Sequence, residues 1–294
     1  MQIEGVKIKD TFAEAFSLYG TRLIITAINR KWVMEAARSV TGFATSIIGC
    51  GCEAGIEMEL AGEDTPDGRP GVAVLIFSVS PEELEKQLVA RLGQAIMTCP
   101  TTACYNGLPT EKRLEVGAKI RFFGDGWQAS KLVGETRYWR IPVMDGEFVV
   151  EEGFGYCTGV GGGNFLILAE SQEAGLEAAT CAVEAMGQVP GVILPFPGGV
   201  VRSGSKVGSR YKFLTASTNT PYCPTLAGRV ASELPPNVNC VLEIVIDGLN
   251  LEAVEEATRV GIRAACRPGV VEITAGNYGG KLGKYHIHLH KVMG

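Results

Sequence analysis

The two halves of the chain repeat one order of predicted elements, and this repetition is the strongest constraint on its fold. In the first half, apolar runs at residues 22–27, 46–48 and 72–77 predict strands. Asn29 and Ser80 are N-cap residues, and each precedes an apolar stripe with helical spacing. We therefore expect two helices packed on one face of a sheet.

The second half follows the same order. Helices are predicted after Ser171 and Asn250, and strands are predicted at residues 164–169, 192–194, 240–246 and 270–274. Each half thus has the order β-α-β-β-α-β of the split β-α-β, or ferredoxin-like, unit. Residues between about 115 and 152 predict extra antiparallel strands that join the two copies. We expect an α+β fold of two ferredoxin-like lobes from an internal duplication, at residues 1–150 and 151–294.

One strand of the second half carries a carboxylate at its centre. In NCVLEIVIDGLN, residues 239–250, Glu243 shares a face with Val241 and Val245. A carboxylate at such a position is costly to desolvate unless it is paired or protonated. Taken alone, the residue is better interpreted as a glutamate on an open, solvated face.

The repeat changes that interpretation. Aligning Ser80 with Asn250 places Glu243 opposite Ala73, in the run VAVLIF, which is apolar on both faces. Helices cover one face of such a sheet, and another lobe or another subunit is the natural cover for the second face. If the second copy is covered in the same way, Glu243 lies in a buried seam, where a raised pKa and a role in proton transfer are expected.

Glycine-rich segments occupy residues 159–163, 195–208 and 275–284. None has a nucleotide-binding GxxxxGK[ST] or GxGxxG pattern. The last two place backbone N–H groups near cations, a combination that suits phosphate or carboxylate ligands; the cations are Arg202, Lys206, Lys281 and Lys284. The alternative is that the glycines make tight turns and the lysines are simply solvated.

Composition and charge exclude several classes of function. A net charge of −5 without a Lys/Arg run argues against nucleic acid and against an anionic membrane surface as partners. The N-terminus does not resemble a signal peptide, and no apolar stretch is long enough to span a membrane. Nine cysteines without paired zinc-like spacing suit reduced thiols in a cytoplasmic protein.

The histidines are confined to the end of the chain. His286, His288 and His290 alternate, which predicts three imidazoles on one face of a terminal strand. Because no carboxylate ligands adjoin them, we expect no metal site. Without another histidine to serve a Ser or Cys nucleophile, carboxylate chemistry is the better candidate.

Long segments along nearly the whole chain resemble one family. They are TGFATS, CEAGIE, TPDGRPG, QLVARLGQAIMTCPTTA, FFGDG, GGNF, PFPGGVVRSGSKVG, LEIVIDGLN and TAGNYGGKLGKY. In this order they resemble the formylmethanofuran:tetrahydromethanopterin formyltransferases. The resemblance implies two ferredoxin-like lobes per subunit, homodimers and homotetramers, and active sites in clefts at subunit contacts.

The same resemblance implies the reaction. The family transfers a formyl group between the amine of methanofuran and N5 of tetrahydromethanopterin, which act as coenzyme substrates, without a metal or a permanently bound cofactor. Its proposed catalytic carboxylate matches Glu243. This chain has Leu242 where the family usually has Tyr, and Asp247 where it often has Asn. Both differences could change the hydrogen bonding of the carboxylate.

The CGCEAGIE segment is more similar to the bacterial branch, whose members serve as a subunit of a formyltransferase/hydrolase complex. Two alternatives therefore stand beside a self-sufficient enzyme. The chain could be a non-catalytic, coenzyme-docking subunit of such a complex. It could also be a ligand-sensing module, since paired ferredoxin-like units form regulatory sites, although the density of matching segments disfavours this.

Formyl transfer needs a proton carrier and donors for an oxyanion. We expect Glu243 to act as general acid and base. Backbone N–H groups of a glycine loop, or the amide of Asn277, could stabilise the oxyanion. The predicted substrate-binding residues all lie in the last two glycine-rich segments; they are Gly198, Gly199, Ser205, Lys206, Asn277, Lys281 and Lys284.

Overall fold

The computed structural model describes residues 1–294 as a mixed α+β protein. Its helices are α1 Arg30–Thr41, α2 Ile47–Cys50, α3 Pro81–Arg91, α4 Val116–Ile120, α5 Gln172–Met186, α6 Leu251–Ala265 and α7 Leu289–Met293. Its strands are β1 Gln2–Ile3, β2 Val6–Ile8, β3 Phe12–Thr26, β4 Glu53–Leu60, β5 Gly71–Ser78, β6 Ala103–Asn106, β7 Arg113–Leu114, β8 Ala129–Val133, β9 Thr136–Val143, β10 Gly146–Glu151, β11 Phe154–Gly155, β12 Cys157–Ala169, β13 Val192–Ile193, β14 Lys206–Val207, β15 Ala216–Ser217, β16 Cys240–Gly248, β17 Val270–Thr274 and β18 Tyr285–His288. No helix is both long and apolar enough to cross a membrane.

The strands of the two halves pair in the same spatial order. In the first half β4, β5, β3 and β6 are neighbours in that order, and all three contacts are antiparallel. In the second half β13, β16, β12 and β17 repeat the arrangement. Helices α1 and α3 cover the first sheet, and α5 and α6 cover the second, so each half has its own apolar core. The N-terminal strand β2 pairs with β17 and belongs to the second core.

The first strands of the two halves join the sheets. Residues 157–161 of β12 pair antiparallel with residues 16–20 of β3, so a single sheet runs through the molecule. Behind this junction Leu75 and Phe77 of β5 pack against Leu18 and Ile193. The second face of the VAVLIF strand is thus covered as predicted, by Leu18 of the neighbouring strand β3 and by Ile193 and Leu249 of the other half of the same chain.

A buried ion pair also connects the halves. The Arg22 guanidinium on β3 donates to both oxygens of Glu57, at 2.5 and 2.6 Å. One of these oxygens also accepts the N–H of Gly191, at 2.7 Å, just before β13. Because Glu57 is buried with both a cation and an N–H donor, its charge is compensated across the junction.

The predicted helix starts are confirmed at atomic detail. Side chains of Asn29, Ser80, Ser171 and Asn250 each accept a hydrogen bond from the backbone N–H three residues later. These caps satisfy donors that have no partner within the helix. The first strand, β3, is longer than the predicted residues 22–27, because its N-terminal half pairs with β18 and β12.

Two predicted strand regions are wrong. Residues 46–48 belong to the helical turn α2, because the Glu53 carboxylate accepts the Ile47 N–H and Gly51 ends the turn at a φ of 78°. Residues 116–124 are helical as well, as α4 and a following 3-10 turn. Strands β8, β9 and β10 are antiparallel as predicted, but β10 pairs with β6 and extends the first sheet rather than joining the copies.

Substitution of Gly159 with alanine tests the close approach at the junction. The added Cβ would lie 2.6 Å from the Gly248 carbonyl oxygen and 3.0 Å from the Phe77 ring. Since the backbone of β16 cannot move aside freely, we expect a loss of about 1–3 kcal/mol in the free energy of unfolding, measured by urea denaturation. Gly49→Ala, whose Cβ would have no neighbour within 4 Å, is the control. Equal stabilities of the two variants would contradict this account of the junction.

Candidate functional site

Glu243 lies in the middle of β16, between two neighbouring backbone segments. On one side it is paired with Leu166 of β12. On the other side its N–H and carbonyl exchange hydrogen bonds of 2.9 and 2.7 Å with Val201. The second glycine-rich segment is therefore hydrogen-bonded to the backbone of the residue that it covers.

A cleft of about 360 Å³ opens above the Glu243 side chain. Its walls come from the N-terminus, β12, the 205–233 segment and the loop after β17. The polar lining residues are Lys9, Thr11, Asn164, Ser205, Lys206, Asn219, Tyr222, Glu233, Glu243, Thr274, Asn277 and Tyr278. A smaller pocket, whose lining includes Arg202, Ser203 and Gly204, adjoins the cleft and also reaches Glu243. The carboxyl thus lies at the floor of a site large enough for a substrate group.

Burial sets the protonation of this carboxyl. Desolvation raises the pKa of Glu243 from 4.5 to about 7. The carboxyl forms no salt bridge, so no cation opposes the effect of burial. At neutral pH it can therefore accept and release a proton, as the comparison with the all-apolar β5 strand led us to expect.

Glu14 anchors the loop that follows β17. Its buried carboxylate on β3 accepts the backbone N–H groups of four loop residues, Tyr278, Gly280, Leu282 and Gly283. Burial raises the pKa of Glu14, but these four hydrogen bonds outweigh that effect and lower the pKa to about 2. The ionised side chain thus serves as a structural anion that gives the loop one conformation.

Asn164 fixes the start of the same loop. Its Oδ1 accepts the Gly276 N–H at 2.6 Å, and its Nδ2 donates to the carbonyls of Gly276 and Gly162 at 3.2 Å. Asn164 lies on β12, two residues before Leu166, the neighbour of Glu243. The wall of the cleft is therefore held from β12 at one end and from β3 at the other.

The structure brings part of the predicted substrate-binding set together. Ser205, Lys206 and Asn277 line the cleft with Glu243. Gly198 and Gly199 lie instead in a 3-10 turn, where Gly199 packs closely against Val183 of α5. Lys281 and Lys284 are exposed on the Glu14-anchored loop and do not line the cleft.

The amide of Asn277 is already occupied. Its Nδ2 donates to Thr11 Oγ1 at 3.3 Å and to the Phe12 carbonyl at 3.1 Å, and its Oδ1 accepts the Gly279 N–H. Asn277 therefore reaches the cleft as part of its wall, with both amide hydrogens directed to the chain.

Lys9, Asn164 and Tyr222 line the cleft but were absent from the sequence-based set. Lys9 pairs with Glu233 at 3.2 Å and precedes β3 by only a few residues. None of the three lies in a glycine-rich segment, and they come from separate parts of the chain. Of the three, only Asn164 could have been predicted from the sequence. It is the polar residue of the apolar NFLILA strand, and it lies on the same face of that strand as Leu166, the neighbour of Glu243.

The histidine tail does not form the predicted arrangement. His286 and His288 lie on β18 and flank Phe12, with ring centroids 4.9 and 5.2 Å from it. His290 lies in α7, where Nε2 is 2.8 Å from the Ile8 carbonyl. The strand was predicted too long, because the apolar residues Leu289 and Met293 turn the chain into a helix on the second core. No group of three or more His, Cys, Asp or Glu residues could hold a metal.

Asp247 is engaged at the junction rather than in the cleft. Its side chain is 0% exposed, and Oδ1 accepts the Gly162 N–H at 2.9 Å while Oδ2 has no partner. Burial and the neighbouring Glu53 carboxyl raise its pKa well above the usual range. A neutral Asp247 at this position has nearly the shape of the asparagine expected there.

Comparisons with known proteins cover the whole chain. Residues 1–143 match the family model described as formylmethanofuran-tetrahydromethanopterin formyltransferase, and residues 146–292 match the one described as FTR, proximal lobe. The formylmethanofuran–tetrahydromethanopterin formyltransferase of Methylobacillus flagellatus is 57% identical to this chain, and the alignment covers 100% of both chains.

Two solved structures are similar in fold as well as in sequence. One is the formyltransferase from Methanosarcina barkeri, 48% identical with a TM-score of 0.95, covering 99% of this chain and 100% of that one. The other belongs to the formyltransferase/hydrolase complex of Methylorubrum extorquens in complex with methylofuran, 51% identical with a TM-score of 0.97 over 100% and 99% of the chains.

Glu14→Gln tests the anchoring of the loop through its pH dependence. Because the folded pKa of about 2 is below the ordinary 4.5, the wild-type carboxylate stabilises the fold fully above pH 4.5, and this contribution is lost as the pH falls towards 2. We expect the variant to unfold at lower urea concentration at pH 7, with a difference that narrows below pH 4.5. The exposed Glu63→Gln is the control. A difference independent of pH would contradict the assigned ionisation.

Proposed function

Because the chain belongs to the formylmethanofuran–tetrahydromethanopterin formyltransferase family, we propose that formyl transfer takes place in the Glu243 cleft. The observation that carries this placement is a carboxyl with a pKa of about 7 at the floor of the cleft. A group that changes protonation near neutral pH can move a proton in both directions during one turnover.

The proposed reaction is a direct transfer between two amines. The attacking nitrogen, N5 of the pterin, forms a bond to the formyl carbon while the carbonyl electron pair moves to oxygen, and the Glu243 carboxylate accepts the proton of that nitrogen. The tetrahedral intermediate then re-forms the carbonyl and expels the amine of methanofuran, which takes the proton from Glu243. The carboxylate is regenerated, and no electrons are exchanged between the molecules, so the cycle itself requires no redox cofactor. Holding both substrates in one cleft supplies a large part of the acceleration.

The segment that covers Glu243 suits anionic portions of the substrates. Residues 185–232 contain no Asp or Glu, although the whole chain carries a net charge of −5. The five cations of this segment are Arg202, Lys206, Arg210, Lys212 and Arg229. We propose that Lys206, at the edge of the cleft, binds a phosphate or carboxylate, with Ser205 beside it. Gly198, Gly199, Asn277, Lys281 and Lys284 stay predictions as substrate-binding residues.

We also propose how the chain is organised. The shared strand order of the two halves supports two ferredoxin-like lobes derived by duplication, with the division near residue 150. We propose homodimers and homotetramers, and a cytoplasmic protein, which suits its nine free cysteines. The similar chain in the formyltransferase/hydrolase complex supports further partner subunits.

The second candidate is a coenzyme-docking subunit whose chemistry depends on partner chains, and the similarity to a subunit of that complex favours it. Formyl transfer from formylmethanofuran to tetrahydromethanopterin by the purified polypeptide alone, followed spectroscopically, separates the two. Turnover by the isolated chain supports the enzyme. A folded chain that binds the pterin without turnover supports the docking subunit.

Glu243→Gln removes the proposed proton carrier while keeping the size of the side chain. We expect kcat to fall by about 100-fold or more, with an unchanged fold. The wild-type rate should rise with pH through about 7, as the carboxyl ionises, and the residual rate of the variant should lack this limb. The exposed Glu252→Gln on α6 is the control. Near-wild-type turnover of the Glu243 variant would rule the role out.

Lys206→Ala tests the proposed anion contact. Loss of a charge-assisted hydrogen bond that is made equally in the ground state and the transition state should raise KM by about tenfold, with kcat little changed. Lys131→Ala, on the exposed strand β8, is the matched control in steady-state kinetics. A fall in kcat at constant KM would contradict the proposed role of Lys206 in substrate binding.

A further inference from the structure

The tetrahedral intermediate needs a hydrogen-bond donor for its oxyanion, and the loop after β17 has few donors to spare. The N–H groups of Tyr278, Gly280, Leu282 and Gly283 are bonded to Glu14, that of Gly276 to Asn164, and that of Gly279 to Asn277. The Asn277 amide hydrogens are donated to Thr11 and Phe12. These six backbone N–H groups thus hold the loop in its conformation and are not available to an oxyanion.

One side chain of the loop both lines the cleft and remains free to donate. Tyr278 lines the same cleft as Glu243, and 37% of the residue is exposed. Its hydroxyl has no hydrogen-bond partner within the chain, while its backbone N–H is held by Glu14 at 2.7 Å. The ring also lies against Phe16, with centroids 6.3 Å apart. Tyr278 thus lines the cleft with an anchored backbone, a packed ring and an unpaired hydroxyl.

The hydroxyl is electrostatically close to the proposed proton carrier. Burial raises the pKa of Tyr278, and the negative charges of Glu243 and Glu14 raise it further. The phenol therefore keeps its proton at neutral pH and can only donate to a developing negative charge. Tyr222 also lines the cleft, but its ring packs against the apolar cluster of Leu166, Leu168 and Val238.

We propose that Tyr278 is a second catalytic residue, whose hydroxyl donates a hydrogen bond to the formyl oxygen as that oxygen becomes an oxyanion. This inference rests on the proposed function of the Glu243 cleft. During attack the carbonyl electron pair moves onto the oxygen that faces Tyr278, while the proton of the attacking nitrogen goes to Glu243. When the carbonyl re-forms, the hydrogen bond weakens again and Tyr278 has gained and lost no proton. The two residues thus divide the work, one moving the proton and the other stabilising the charge.

The test is Tyr278→Phe, which deletes the hydroxyl and keeps the ring. We expect kcat to fall by about 100-fold with KM within about threefold of wild type, because the bond is made mainly in the transition state. The urea unfolding midpoint should not change, since the hydroxyl bonds to no protein group. Tyr138→Phe, on β9 of the first sheet, is the matched control and should keep wild-type kinetics.

Three results would overturn the proposal. A kcat of Tyr278→Phe within about threefold of wild type would give the role to the backbone N–H groups of residues 202–205, which also line the pockets at Glu243. A rise in KM without a fall in kcat would make Tyr278 a binding residue. Loss of kcat in Tyr222→Phe instead would assign the donor to that residue. Retained turnover of Glu243→Gln, by contrast, would refute the proposed function and is measured independently.

Site-specific incorporation of 3-fluorotyrosine at position 278 gives a second readout that a purely structural ring would not alter. The fluorinated phenol ionises at lower pH, and its anion cannot donate. We expect the high-pH limb of the kcat profile to shift to lower pH, while 3-fluorotyrosine at position 138 leaves the profile unchanged. An unshifted profile at position 278 would exclude the hydroxyl as donor, even if Tyr278→Phe folded poorly.

Discussion

The antiparallel contact between β3 and β12 is the constraint on which the rest of the molecule depends. Each is the first strand of its half, and pairing residues 16–20 with residues 157–161 places the two sheets in one continuous surface. Small residues make the approach possible, since a Cβ at Gly20 or Gly159 would collide with the Phe77 ring. Because β12 also carries Asn164 and pairs with β16, the same contact fixes Glu243 relative to the Glu14-anchored loop.

Four acidic residues near this surface show how the surroundings of a carboxyl group determine its ionisation. Glu57 is compensated by Arg22, and Glu14 by four backbone N–H groups, so both are structural anions. Asp247 has one donor and a neighbouring carboxyl, which favours its neutral form. Glu243 has neither a cation nor a neighbouring carboxyl, so burial alone brings its pKa to about 7. Only this last arrangement leaves a proton that can be exchanged at neutral pH.

Local patterns predicted the element order well where caps and apolar periodicity agreed, as at Asn29 and Asn250. They failed where a distant or neighbouring side chain decided the backbone. The Ile47–Cys50 turn is set by the Glu53 carboxylate, and the tail around His290 becomes helical because its apolar residues dock on the second core. For the site, the cations and glycines of the sequence correctly predicted that residues 195–208 and 275–284 contribute to the cleft. They did not distinguish Lys206, which lines the cleft, from Lys281, which is exposed on the anchored loop.

The sequence by itself determined the repeated β-α-β-β-α-β order, the family, and the position of a carboxylate inside an apolar strand. These features depend on residue types and their spacing within continuous stretches, which can be read directly from one sequence. Only the tertiary structure decided which side chains surround that carboxylate, because Lys9, Asn164, Tyr222 and Tyr278 come from four separate segments. It also decided that the loop N–H groups are consumed by Glu14, a residue more than 260 positions away. A pKa and an unpaired hydroxyl are properties of such non-local surroundings, so no local pattern could specify them.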